Sequence, residues 1–201
     1  MLLYAATKNK GKLREFLDAS AQSALTDLRI EPLPSLSELE PPEETGATVE
    51  ENARLKAQYY SSYTDGFVFA DDSGLAVDAL DGAPGVYSAR YAGPSATDCE
   101  NNRLLLDNLR GAQARSGRFV CAIALARQGK VLATSRGAVE GEILEAPRGG
   151  EGFGYDPLFY SPETGCSFAE ASREQKFQVS HRGRAFRSLL RQIAEQHLDR
   201  S

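Results

Sequence analysis

Two adjacent carboxylates, Asp71 and Asp72, follow a short apolar run at Phe67–Ala70 and precede Ser73 and Gly74. The aromatic and β-branched residues of the run predict a buried strand, and Gly74 permits a sharp turn after it. The carboxylates would then lie at the carboxyl end of a strand, where open α/β sheets place their ligands. Because each negative charge disfavours ionisation of the other, the pair predicts a divalent cation or a proton-transfer role. A solvated turn is the alternative.

A basic turn follows the first predicted strand, Leu2–Ala6, and comprises Thr7, Lys8, Asn9, Lys10, Gly11 and Lys12. Apolar residues with helical spacing come next, which places the lysines at a helix amino terminus. Cations oppose the helix dipole there, whereas a polyanion would be attracted by the lysines and by the free N–H groups. The turn is therefore predicted to bind phosphate, with a solvated basic turn as the alternative. The Walker P-loop pattern is absent.

An acidic loop at residues 38–46 contains Glu43 and Glu44, either of which could be a metal ligand, although most acidic loops are simply solvated. The chain has three widely spaced cysteines and two histidines. This composition argues against a metal held by nitrogen and sulfur, so we expect any metal to be an oxygen-ligated ion such as Mg²⁺. The odd number of cysteines also favours reduced thiols in a cytoplasmic protein over a disulfide framework.

Four glycines and two aromatic residues lie within residues 147–157. Flexible backbone beside rings suits a planar ligand, with Phe153 or Tyr155 stacking on a base and peptide groups reading its edge. The alternative is an ordinary loop whose rings lie in the core. A cationic and hydrogen-bonding cluster follows, comprising Lys176, Ser180, His181 and Arg182. Ser180 is predicted to cap the last helix, and His181 and Arg182 would lie in its first turn.

The remaining predicted helices and strands form the scaffold. Capping boxes at Thr48–Glu51 and Thr97–Glu100 predict two helix starts. Strands are predicted at residues 30–35, with prolines that suit an edge, and at residues 75–80. A hairpin is predicted at residues 118–126 and 131–138, followed by a third antiparallel strand at residues 139–144. We therefore expect one α/β domain over residues 1–201, with a mixed central sheet flanked by helices.

The composition of the 201 residues excludes several classes of protein. A hydrophobic content of 41% and a charged content of 25% are ordinary for a globular protein. The net charge of −5 argues against a general nucleic-acid or membrane-surface binder. No apolar run approaches the ~20 residues of a membrane span, and the first residues lack the charged region of a signal peptide. We therefore expect neither nucleic acid nor membrane as a partner.

Four motifs that follow one another along the chain resemble the Ham1-like non-canonical purine nucleoside triphosphate pyrophosphatases, also called inosine triphosphatases or dITP/XTP pyrophosphatases. They are Thr7-x-Asn9-x-x-Lys12-x-x-Glu15, the run from Ala70 to Arg90 that begins Ala-Asp-Asp-Ser-Gly-Leu, Gly152-Phe-Gly-Tyr-Asp-Pro157 and Ser180-His-Arg-Gly183. The resemblance implies Mg²⁺-dependent hydrolysis of ITP, dITP and XTP to the monophosphate and pyrophosphate, which removes deaminated purines. It also implies a homodimer and an active-site cleft between two lobes.

The resemblance also implies roles for individual residues. Asp72 would be the catalytic carboxylate and a Mg²⁺ ligand, with Glu43 as the second metal-side carboxylate and Glu44 as the other candidate. The Thr7–Lys12 turn would hold the triphosphate, and Ser73 would touch substrate. The residues expected around the base and sugar are Phe153, Gly154, Tyr155, Asp156, Lys176, His181 and Arg182. A donor from His181 or Arg182 would read the 6-oxo group of hypoxanthine or xanthine.

Two other classes fit part of the pattern. Asp72-Ser73-Gly74 matches the D-[ST]-G signature of aspartic proteases, but only one copy is present and the predicted helices contradict an all-β protease. A non-catalytic nucleotide-binding regulator would keep the phosphate turn and the base loop without needing Asp72. Release of pyrophosphate from ITP distinguishes it from the enzyme.

Overall fold

The computed structural model describes residues 1–21 and 28–198. The strands are β1 (Leu2–Ala5), β2 (Arg29–Pro32), β3 (Phe67–Val77), β4 (Ser116–Arg127), β5 (Lys130–Ile143), β6 (Phe159–Ser161) and β7 (Cys166–Ser167). The helices are α1 (Lys10–Ala21), α2 (Val49–Ser61), α3 (Asp98–Asn108), α4 (Arg173–Val179) and α5 (His181–Glu195). Two 3₁₀ segments, Asp78–Leu80 and Gly85–Arg90, lie between β3 and α3.

The seven strands form one mixed sheet in the order β2-β1-β3-β4-β5-β6-β7, which confirms the predicted fold class. Strand β1 pairs in parallel with β2 and β3, whereas β6 is antiparallel to both β5 and β7. A two-residue turn, Gln128-Gly129, joins β4 to β5 with φ of 50° and 76°. Both values suit the tight hairpin predicted there. Pro32 lies on the edge strand β2, where a missing N–H is tolerated.

The chain divides into two compact units. The first comprises Met1–Asp72, Cys121–Gly137 and Arg182–Ser201, and the second comprises Ser73–Val120 and Ala138–His181. Within residues 1–21 and 28–198, no helix combines the length and the apolar character that crossing a membrane requires.

Each unit has its own apolar core. In the first unit the rings of Phe16, Phe69 and Phe186 contact one another with centroids 5.0 to 5.5 Å apart, so α1, β3 and α5 pack together. Ala53 and Ala57 of α2 are buried as the helical spacing predicts. In the second unit Phe119, Phe159 and Phe168 form the aromatic cluster, and Leu105 and Leu109 of α3 pack beside it.

The predicted turn at Gly74 is wrong, because β3 continues without a break from Phe67 to Val77. The separate strand expected at residues 75–80 is therefore the second half of β3 followed by a 3₁₀ segment. A glycine is required at position 74 for close approach: a Cβ there would overlap the carbonyl oxygen of Gly85 and lie 3.0 Å from Ser88 Oγ. The two carboxylates consequently lie inside a strand and not at its end.

Two smaller predictions are also corrected. Residues 131–138 and 139–144 form the single strand β5 and not two strands. Thr48 caps α2 by accepting from Glu51 N, but the Glu51 carboxylate accepts from Ala47 N instead of completing the box on Thr48. The full capping box at Thr97 and Glu100 is confirmed.

Candidate active site

Asp71 and Asp72 face opposite sides of β3, because successive side chains of a strand alternate. Asp71 lies on the side of α1 and α5, where its Oδ2 is 2.9 Å from Lys12 Nζ and 3.7 Å from Arg182 Nε. Asp72 lies on the side of α2, where its Oδ1 is 2.9 Å from Lys56 Nζ. The two like charges thus have separate cationic partners, which removes much of the repulsion inferred from their adjacency.

The two aspartates differ in acidity. Burial alone would raise the pKa of Asp71, but the positive charges of Lys12 and Arg182 outweigh it and lower the pKa to about 2. Burial raises the pKa of Asp72 above its ordinary value, against the attraction of Lys56. Asp71 is therefore ionised at neutral pH, where it pairs with Lys12 and Arg182. Asp72 is the more basic carboxylate and the better proton acceptor.

Residues of α2 that the sequence analysis missed complete the surroundings of Asp72. Asn52 is fully buried; its Nδ2 donates to Asp72 Oδ2 at 3.3 Å, and its Oδ1 accepts from Gly46 N at 2.8 Å. Lys56, one helical turn later, donates to Asp72 and to Glu44 Oε1, the latter at 3.0 Å. The signal in the sequence was a polar pair at i and i+4 on an otherwise apolar helix face.

The structure favours Glu44 over Glu43 as the second carboxylate. Glu44 is linked to Asp72 through Lys56, whereas the side chain of Glu43 is exposed. In the described part of the chain, no group of three or more His, Cys, Asp or Glu side chains is placed to hold a metal ion. Glu44 and Asp72 are nevertheless oxygen donors on either side of one ammonium group, a pair that suits a hard cation completed by phosphate oxygens.

The basic turn leads directly into helix α1, as the sequence predicts. Helix α1 begins at Lys10, and Asn9 Oδ1 accepts from Lys12 N at 3.0 Å. Thr7 Oγ1 accepts from Asn9 N at 3.2 Å, and Lys8 Nζ donates to the Leu39 carbonyl. The turn is thus ordered by its own side chains, while Lys12 is directed to Asp71.

A second cluster forms in the Gly-rich loop and α4. Asp156 Oδ2 accepts from Phe153 N at 2.9 Å and from Lys176 Nζ at 2.6 Å. The ammonium of Lys176 lies 5.0 Å from the centroid of the Phe153 ring. Both charged residues are buried, which concentrates a donor and an acceptor beside an aromatic face.

The other predicted base-site residues do not share one environment. Tyr155 is buried in the core of the second unit, and its hydroxyl donates to the Ser88 carbonyl, so Phe153 is the ring left for stacking. His181 stacks on Phe119 with an interplanar angle of 11°. Arg182 is buried and forms ion pairs with Glu15 and Asp71 in the first unit. Ser73 follows Asp72 in β3 and is half-buried.

The model of the protein family described as Ham1 family matches residues 3–192. A curated relative from Acidobacterium capsulatum, named dITP/XTP pyrophosphatase, is 49% identical over 96% of this chain and 98% of its own. A second curated relative, from Exiguobacterium sp. and also named dITP/XTP pyrophosphatase, is 50% identical over 96% of this chain and 97% of its own. The solved structure of the Staphylococcus aureus Ham1 protein is similar with a TM-score of 0.84 and 38% identity, covering 98% of this chain and all of the other.

Proposed function

This chain belongs to the Ham1 family, and from that membership we propose that it is a nucleoside triphosphate pyrophosphatase acting on dITP, XTP and ITP. The reaction would cleave the α/β phosphoanhydride with water and release the monophosphate and pyrophosphate. The observation that carries the proposal is that the two adjacent aspartates have different partners. Asp71 forms an ion pair with Lys12 of the basic turn, whereas Asp72 pairs with Lys56, which also contacts Glu44.

We assign proton transfer to Asp72. Asn52 and Lys56 each donate to one of its oxygens and so orient the carboxylate. A carboxylate so oriented can take the proton from an attacking water molecule. Mg²⁺, which we propose Asp72 and Glu44 to hold, would withdraw charge from the phosphate oxygens when bound.

The triphosphate is assigned to the Thr7–Lys12 turn. The positive end of the α1 dipole and the ammonium of Lys12 favour an anion there. Asp71 orients Lys12, and Arg182 supplies a further positive charge beside them. We therefore place Arg182 with the phosphates and not with the base. Stabilisation of the leaving pyrophosphate is the expected contribution of these cations.

The base is assigned to the cluster of Phe153, Asp156 and Lys176. Phe153 would stack on the purine, and Lys176 would donate to the 6-oxo group that hypoxanthine and xanthine share. Adenine presents an amino group at that position, so two hydrogen-bond donors would face each other, a mismatch that can discriminate strongly. His181 remains a second candidate donor near this cluster, stacked on Phe119.

We also propose that the enzyme acts as a homodimer in the cytoplasm. The dimer follows from the family resemblance. The location is supported by the cysteines, since Cys99, Cys121 and Cys166 are all free.

One assay tests the function. The protein is incubated with ITP, dITP, XTP, GTP and ATP, with Mg²⁺ or with a chelator, and monophosphate and pyrophosphate are quantified by chromatography and a coupled assay. We expect equimolar release of both products from ITP, dITP and XTP, only with Mg²⁺, and much slower release from ATP and GTP. Binding of ITP without pyrophosphate release would instead favour a nucleotide-binding regulator. Release of inorganic phosphate in place of pyrophosphate would refute the proposed bond cleavage.

A further inference from the structure

Two side chains of α3 hold the backbone of Gly154 on both sides of its Cα. Asp98 Oδ2 accepts from Gly154 N at 2.6 Å, and Asn102 Nδ2 donates to Gly154 O at 3.0 Å. Asp98 and Asn102 are four residues apart and therefore lie on the same face of the helix. We refer to these two residues as the α3 clamp.

The α3 clamp restrains a residue that sterics leave free. Gly154 has a φ of 64°, and a Cβ built on it would meet nothing within 4 Å. The φ and ψ of a residue are set by the orientations of its two flanking peptide planes. Asp98 holds the plane between Phe153 and Gly154, and Asn102 holds the plane that follows Gly154. Together they fix both dihedral angles of a glycine that would otherwise explore several conformations.

Gly154 separates two aromatic residues that lie in different surroundings. On one side Tyr155 is buried and bonded to the Ser88 carbonyl. On the other side Phe153 is half-buried and lines a cavity of about 530 Å³, together with Asp98 and Asn102. The peptide plane between Phe153 and Gly154, which Asp98 holds, therefore helps to set where the Phe153 ring lies, whereas Tyr155 has its own anchor on Ser88.

We propose that the α3 clamp positions Phe153 for stacking on the purine base, so that Asp98 and Asn102 are positioning residues of the base subsite. The inference rests on the proposed function. Asp156 forms an ion pair with Lys176 at 2.6 Å and also accepts from Phe153 N at 2.9 Å, so Phe153 is held by Asp156 on one side and by the clamp on the other. Because stacking is common to all purines, the clamp sets how tightly a base binds and not which base is chosen.

Kinetics of clamp variants test this inference. Asn102→Asp keeps the size and the acceptor of the side chain and removes the N–H donor to Gly154, while Asp98→Ala removes the other contact. We expect KM for ITP and for XTP to rise by the same factor, about tenfold for one freed backbone residue, with kcat unchanged. Inhibition by inorganic tripolyphosphate, which has no base, should stay at the wild-type level. The matched control is Asn108→Asp, on the same helix but joined to the Tyr91 hydroxyl by an exposed hydrogen bond, and it should change none of these values.

Hydrogen exchange of the Gly-rich loop measures how firmly the clamp holds the loop backbone, independently of catalysis. Mass spectrometry of peptides spanning residues 149–158 should show faster exchange in Asn102→Asp and Asp98→Ala than in the wild type and in Asn108→Asp. Unchanged exchange would overturn the clamp itself. Faster exchange with an unchanged KM for ITP, or a KM increase matched by weaker tripolyphosphate inhibition, would overturn its role in base positioning. Wild-type enzyme that releases no pyrophosphate from ITP would refute the proposed function, and the base-positioning role with it, while exchange would still report on the clamp.

Discussion

Replacing Asp71 by asparagine removes a buried anion that Lys12 and Arg182 share. The Asp71 side chain is 2% exposed and that of Arg182 is 3% exposed, so neither charge is relieved by solvent in the folded protein. Asparagine keeps the shape of the side chain and one acceptor oxygen but supplies no negative charge. Arg182 would keep its ion pair with Glu15, and Lys12 would lose its anchor on β3.

The shifted pKa of Asp71 sets the size of the effect. A pKa lowered from 3.8 to about 2 corresponds, at about 1.4 kcal/mol for each pKa unit, to about 2–3 kcal/mol of stability from the charged carboxylate. Because the folded pKa lies below the unfolded one, this stabilisation is complete above pH ~4 and is lost as the pH falls toward 2. At pH 3 about half of it should remain. Asp71→Asn should therefore be about 2–3 kcal/mol less stable than the wild type at pH 7, with a smaller deficit at pH 3.

Urea unfolding followed by far-ultraviolet circular dichroism at pH 7, 5 and 3 measures both quantities. Asp107→Asn is the control: Asp107 pairs with Arg110 at the surface, where the arginine side chain is 82% exposed, so its removal should change stability by less than about 0.5 kcal/mol. A deficit for Asp71→Asn that stays constant from pH 7 to pH 3 would refute the electrostatic reasoning. Equal stability of Asp71→Asn and the wild type at pH 7 would refute it as well.

Three further substitutions probe the site and its scaffold. Asp72→Asn should lower kcat for ITP by about 10²–10⁴-fold with its circular dichroism spectrum unchanged, as expected on loss of a general base. Glu44→Gln should raise the Mg²⁺ concentration that gives half-maximal rate by about tenfold or more, whereas Glu43→Gln should resemble the wild type in a metal titration. Gly74→Ala should lower the free energy of unfolding by about 1–3 kcal/mol or more, measured in urea, because its methyl group would overlap the Gly85 carbonyl.

Each of these expectations has a distinct contrary result. Near-wild-type turnover by Asp72→Asn would move the base to another group. Equal metal dependence of the two glutamine variants, or a larger effect at position 43, would contradict the preference for Glu44. Wild-type stability of the alanine variant would show that β3 and the 3₁₀ segment beside it separate at little cost.

Features that depend on neighbouring residues were predictable from the sequence. The hairpin turn at Gln128-Gly129, the Thr97 capping box and the helix start after the basic turn each arise from contacts spanning a few positions, and the structure has all three. The order of four motifs along the chain was sufficient to indicate the Ham1 family. These signals are local, so residue type and spacing carry them directly.

Predictions failed where the decisive partner is distant in sequence. The sequence favours a turn at Gly74 because glycine permits one, whereas in the structure the residue is constrained by the backbone of Gly85. The sequence does not mark Asn52 and Lys56 as site residues, because their role is to donate hydrogen bonds to Asp72, which is 20 and 16 residues away. The sequence does not distinguish Tyr155 from Phe153 as the ring that stacks on a base. In the structure Tyr155 donates to the Ser88 carbonyl within the core, whereas the Phe153 ring lies beside Lys176.

The sequence alone determined that two carboxylates stand side by side after an apolar run, and the alternation of a strand requires them to face opposite sides. Only the tertiary structure decided what each side contains. Lys12 of α1 and Arg182 of α5 meet Asp71, while Lys56 of α2 meets Asp72. The physical reason is that a carboxylate's pKa and role depend on burial and on charges within a few ångströms, and in this site folding brings those charges from helices far apart in the chain.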